Sequence, residues 1–196
     1  ASRVVLAAAY LCGVKEIFLA GGVQAIAAMT FGTESLKAVD VIAGPGNAWV
    51  AMAKQEVAGQ VGIASAFAGP SEIAVIADNT CPPSSAAVDL VLQAEHGPGG
   101  RAWLITWDAA YADEVESATK KIVSLSPRST ETLATIETGG FVCLVDDPSQ
   151  AMAVVNVLAP EHLQLMFHDA RSFIGQIRHA GAVFIGNWAP ASLGDY

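Results

Sequence analysis

The chain has 196 residues, room for one full domain or two small lobes. Hydrophobic residues make up 53%, charged ones 15%, and mean hydropathy is +0.43, which excludes disordered and collagen-like classes. Its 10 Lys and Arg stand against 19 Asp and Glu, net −9, with no basic patch larger than Lys120 and Lys121, so nucleic acid is not an expected partner.

Short apolar or β-branched runs alternate with amphipathic stretches of helical length, the pattern of βα units around a mostly parallel sheet. A helix over 2–11 comes first, then a strand over 16–20, and the Gly21-Gly22 turn leads into a helix over 23–29. A strand over 39–43 and the turn Gly44-Pro45-Gly46 precede a helix over 45–57, with Pro45 suited to the first helical position. The stretch 64–71 has neither charge nor helical period, so a lobe boundary is placed near residue 72.

The second series has strands over 73–77, 102–106, 141–145, 163–167 and 182–185. Its helices span 84–96, 109–124, 130–137, 148–158 and 170–179. Ser84 after Pro82-Pro83 reads as an N-cap, and Pro148 after Asp146-Asp147 opens a helix. The fold class is thus α/β: two incomplete Rossmann-like lobes, 1–72 and 73–196, with mostly parallel sheets flanked by helices.

The longest uncharged run, 17–33, is broken by glycines and falls short of the ~20 apolar residues a spanning helix needs, so no membrane segment is expected. Cys12, Cys81 and Cys143 lie far apart without paired spacing, which argues against a disulfide scaffold and for a reducing cytoplasm. Ala1 begins directly on a helical pattern and the chain stops in a Gly-Asp-Tyr turn, so the sequence reads as a segment of a longer protein.

Several side chains are placed for chemistry. The turns before Gln24 and Asn47 follow strands and open helices, a context that aims backbone amides at an anionic or polar ligand. Trp49 stands where a dinucleotide fingerprint needs glycine, so tight structural turns and nucleotide contact both remain open. Ser71, before Glu72, lacks the GxSxG elbow of a hydrolase nucleophile and reads equally as a capping hydroxyl.

Gln93 and His96 are three apart on one helical face, able to converge on an ion or ligand, although a histidine there also suits a helix C-terminus. Glu161 and His162 set a carboxylate beside an imidazole after Pro160, either an acid–base pair or a surface charge pair. His168 and His179 read as solvated, and Asp195 signals nothing by itself.

Taken in order, Gly21-Gly22-x-Gln24-Ala25, Phe31-Gly32-Thr33-Glu34, Gly44-Pro45-Gly46-Asn47, Ala68-Gly69-Pro70-Ser71-Glu72, Gln93-Ala94-Glu95-His96-Gly97-Pro98, Pro160-Glu161-His162-Leu163 and Gly194-Asp195-Tyr196 resemble the histidinol dehydrogenase family, through all 196 residues. The resemblance implies a zinc-requiring, NAD-dependent enzyme that oxidises L-histidinol through histidinal to L-histidine, the last steps of histidine biosynthesis. By the same resemblance Gln93, His96 and Asp195 are zinc ligands, and Glu161 and His162 the catalytic acid–base pair. Ser71, with Gln93, His96, Glu161 and Asp195, contacts the amino alcohol, and Gln24 and Asn47 contact NAD. The site is expected between the lobes.

The resemblance further implies a homodimer in the full-length protein, whose later C-terminal part supplies a further zinc histidine and a substrate glutamate to the neighbouring subunit. Without it, weak metal binding and no turnover are expected. Ala191, where the family often has glutamate, keeps open a paralogue acting on another small alcohol, such as a sulfonated diol. A non-catalytic nucleotide-binding module is the alternative from another class.

Overall fold

The computed structural model describes residues 2–64, 71–97 and 99–195, without the side chain of Asp195. The chain divides into two compact units, Ala1–Gly69 and Pro70–Tyr196. Most of the uncharged stretch read as a boundary, residues 65–70, lies outside the described residues, as do Pro98 and Tyr196.

In the first unit, α1 (Arg3–Leu11) is capped by Ser2, whose hydroxyl accepts from Val5 N, and α2 (Gly22–Phe31) follows. Strand β1 (Val41–Ile42) pairs in parallel with β2 (Gly62–Ile63), and α3 (Ala48–Val57) makes the crossover. Ile26, Ile42, Val57 and Val61 form its small core.

Three expectations for this unit are corrected. Residues 16–20 form no strand: a ladder needs a partner, and among the described residues none runs beside them. The strand over 39–43 shortens to two residues, and its partner β2 went unread because two residues carry no period. Helix α3 starts at Ala48, not at Pro45, because the Asn47 side chain accepts from Val50 N at 3.1 Å and so takes the cap.

The second unit holds a parallel five-stranded sheet in the order β5-β4-β3-β6-β7, its strands being β3 (Glu72–Ala77), β4 (Arg101–Thr106), β5 (Gly140–Leu144), β6 (His162–Met166) and β7 (Ala182–Ile185). Helices α4 (Pro83–Ala94), α5 (Ala109–Leu125), α6 (Ser129–Gly139) and α7 (Pro148–Leu158) connect them. Alternation splits β3 between two cores. Ile73, Val75 and Ala77 face α4 and α5 with Leu90, Tyr111 and Val115, while Ala74 and Ile76 face α7 with Met152 and Val155. Both faces are covered, which is why the central strands read as continuous apolar runs.

Two corrections follow here as well. Pro82 occupies the N-cap position and Pro83 the first helical position, ahead of the expected Ser84, because a ring-fixed φ suits a residue whose N–H has no partner. Residues 170–179 form a 3-10 turn, Ala170–Gln176, held by i→i+3 bonds such as Ser172 N to Asp169 O at 3.0 Å. A second 3-10 turn, Ala191–Asp195, closes the chain. Among the described residues no helix is long and apolar enough to cross a membrane.

Each parallel strand is followed by a helix that runs back along the sheet. The last turn of α4 therefore arrives at the sheet's amino edge, where β3 and β6 begin side by side, Ile73 opposite His162. That edge gathers residues from distant stretches of sequence.

Candidate functional site

A cleft of about 250 Å³ opens at this amino edge within the second unit. Ser71 enters it from the start of β3, Gln93 and His96 from the end of α4, Glu161 and His162 from the start of β6, and Ala191 and Ser192 from the terminal 3-10 turn. Two neighbouring cavities beside α5 and α6 have mainly apolar surfaces and lack this convergence of imidazole, amide and carboxylate.

His162 is 17% exposed, its ring 5.8 Å from that of Phe184. Its Nδ1 lies 3.0 Å from Gln93 Nε2 and 3.8 Å from Glu161 Oε2. Glu161, 51% exposed, accepts the backbone N–H of Glu72 at 3.2 Å, so the carboxylate is tethered across β3 while its other oxygen points elsewhere. Adjacent residues in a strand face opposite sides, but Glu161 precedes β6, and both it and His162 line the cleft.

Two backbone features hold the pair in place. Ala159 ends α7 in the left-handed region at φ 51°, turning the chain sharply into Pro160. At Gly181 the entry to β7 passes so close that a Cβ there would stand 2.7 Å from Glu161 O. Ala182 N donates to that same carbonyl at 2.8 Å.

His96 Nδ1 lies 3.3 Å from the Gln93 carbonyl, so a proton on Nδ1 is donated there and the Nε2 lone pair is left for a metal. The Gln93 amide, with its nitrogen toward His162, has its oxygen for the same purpose. The donors present thus fit a borderline cation such as zinc, as two ligands of a larger set. Among the described residues no three His, Cys, Asp or Glu side chains gather as a complete metal group. The backbone of Asp195 ends the 3-10 turn, and its side chain lies outside the described residues.

Sequence reasoning missed Ser192, whose surroundings carry no motif, and Asp89. The latter was within reach of helical spacing, since Asp89, Gln93 and His96 stand at i, i+4 and i+7. Asp89 is buried in α4, 1% exposed, and burial pushes its carboxyl up to about 6, an effect partly offset by the backbone N–H of Ala191.

Gln24 and Asn47 belong to the first unit and are exposed. Gln24 sits in the first turn of α2, its side-chain oxygen folded back toward Gly22, and Asn47 caps α3. His168 and His179 are exposed.

The histidinol dehydrogenase family model matches residues 1–196. The chain is 48% identical over 192 residues to the histidinol dehydrogenase of Gluconobacter oxydans (strain 621H), covering 98% of this chain and 44% of that one. It is 48% identical over 193 residues to that of Neisseria gonorrhoeae (strain ATCC 700825 / FA 1090), covering 98% and 45%. The crystal structure of histidinol dehydrogenase from Elizabethkingia anophelis superposes with a TM-score of 0.91 at 39% identity, over 98% of this chain and 44% of that one. The chain therefore spans less than half the length of these relatives.

Proposed function

The chain belongs to the histidinol dehydrogenase family, and from that premise we propose that the protein oxidises L-histidinol to L-histidine in two NAD-dependent steps with zinc at its site. The observation that carries this reading is the convergence of Ser71, Gln93, His96, Glu161 and His162 on one cleft. Gln93 Oε1 and His96 Nε2, with Asp195, are the chain's own donors to the metal, and Gln24 and Asn47 its contacts to the dinucleotide. Bound zinc supplies a Lewis acid that orients the amine and imidazole of the amino alcohol, and bound NAD takes up a hydride in each step.

The residues of the chain handle the protons. In the first oxidation His162 takes the hydroxyl proton on Nε2, which requires its resting ring proton on Nδ1. The group facing Nδ1 decides this: the Gln93 amide turned to present its oxygen, or the Glu161 carboxylate, accepts from Nδ1–H and frees Nε2 as base. In the second, Glu161 takes a proton from the water that adds to the aldehyde carbon, and its exposure gives that water access. Ser71 sits at the cleft wall to hold a polar group of the substrate.

We read the second unit as the side of the zinc and acid–base residues and the first as the dinucleotide side, in a cytoplasmic homodimer. The deciding assay follows NADH formation from L-histidinol by the protein at natural length, before and after zinc is stripped and restored. Zinc-dependent release of two NADH per histidinol is the expected result. A folded, zinc-loaded protein that turns over other small alcohols and not histidinol overturns the substrate; one that binds NAD and turns over nothing overturns the enzymatic reading.

A further inference from the structure

Position 89 lies on a helix whose neighbouring side chains, Ala86, Ala87 and Leu90, are packed into the apolar core over β3. A carboxylate is an expensive occupant of such a position unless it is hydrogen-bonded. Asp89 is 1% exposed, and neither of its oxygens meets a donor at full hydrogen-bond geometry among the described residues. The backbone N–H of Ala191 is the hydrogen-bonding group that compensates its burial.

Ala191 opens the terminal 3-10 turn, which packs on α4 and puts Ser192 into the cleft beside Gln93 and His96. The stretch leading there leaves the sheet after β7 and is held by polar contacts along its way. Gln164 Nε2 donates to Gly186 O at 3.0 Å, and Asn187 Nδ2 donates to Thr80 O at 3.0 Å. Both of those holds fall at the beginning of the stretch. At its far end Ala191 is 4% exposed, so its N–H cannot turn to water and depends on a protein acceptor.

We propose that Asp89 is a positioning residue of the site: its buried carboxylate holds the Ala191 amide and thereby fixes the turn that presents Ser192 to the cleft. It stands one helical turn before Gln93, so the same rigid helix sets the amide, the imidazole of His96 and the anchor of the opposing wall. The consequence for the reaction rests on reading this cleft as the oxidation site; the anchoring itself does not.

The test uses the natural-length protein, with Asp89→Leu to remove the acceptor at similar volume and Asp89→Asn to keep an oxygen in place. Backbone hydrogen exchange over residues 186–195 is measured without substrate, alongside KM and kcat for histidinol and the melting temperature. In the unsubstituted protein the Ala191 amide is expected to be protected; an amide that exchanges freely there overturns the proposal without any variant. Asp89→Leu is expected to speed exchange at Ala191 and Ser192 by about tenfold or more and to raise KM by about tenfold with a smaller change in kcat, from loss of a charge-assisted bond. Asp89→Asn is expected to restore both. Unchanged exchange in the leucine variant, or equal loss in both variants, overturns the proposal. An unsubstituted protein that oxidises no histidinol removes the functional reading and leaves the exchange result to decide the anchor.

Discussion

Gln93, on the last turn of α4, and His162, at the first position of β6, are joined by a 3.0 Å hydrogen bond across 69 residues of sequence. One end of that bond is a candidate metal donor and the other a candidate base. Whatever moves the amide thus reaches the ring nitrogen that must lose or hold a proton.

His162→Ala is expected to lower kcat by about 10²–10⁴-fold, the range for a positioned proton-transfer group. The ring is partly exposed and lies at a strand end, so the melting temperature should change little. Steady-state kinetics and a thermal melt check both halves; a variant with near-normal kcat removes His162 from the chemistry.

Glu161→Gln should separate the two oxidations. The amide keeps an acceptor for Glu72 N but cannot take a proton from water, so NADH per histidinol should fall from two toward one, with aldehyde trapped by a carbonyl reagent. A variant that still releases two NADH at the original rate argues that another group activates the water.

Gly181→Ala puts a methyl group 2.7 Å from the Glu161 carbonyl, against backbone that cannot swing aside. A cost of about 1–3 kcal/mol is expected from such overpacking, together with a lower kcat because Glu161 is displaced. Loss of stability without loss of kcat would show that the backbone shift is absorbed on the β7 side.

Asp89 predicts a pH dependence of stability. Its carboxyl lies at about 6 in the folded chain against 3.8 ordinarily, so the folded state binds the proton more tightly. That contribution is fully present below pH 3.8 and is lost as pH rises through about 6, by at most about 3 kcal/mol. Urea titrations of the unsubstituted protein and of Asp89→Asn should diverge across this window; parallel curves would sink the assignment.

The sequence was most readable where packing is two-sided. Runs such as Ile73-Ala74-Val75-Ile76 announce buried parallel strands because nothing else accommodates so many β-branched residues together. Residues 16–20 look similar and form no strand, since a ladder depends on a neighbour and local composition cannot supply one. Much the same holds for the cleft. Helical spacing alone links Gln93 to His96, but nothing local says that β6 lies next to β3, the pairing that brings His162 to them. Asp89 lay on the same helical face and was passed over because a lone acidic residue on a helix usually means a solvated surface.

Open parallel sheets generally receive ligands at the carboxyl ends of their strands, where the strand order reverses. In the second unit that reversal lies between β3 and β6, yet its carboxyl end is laced together. Asp78 accepts from Thr80 N at 2.9 Å and from His168 N at 3.1 Å, binding the two strand exits to each other. The sheet thus divides its labour by direction: one rim is a seam and the other a workbench. Asp78→Ala should register as a lowered melting temperature at the seam, whereas changes at Gln93 or His162 should register as turnover.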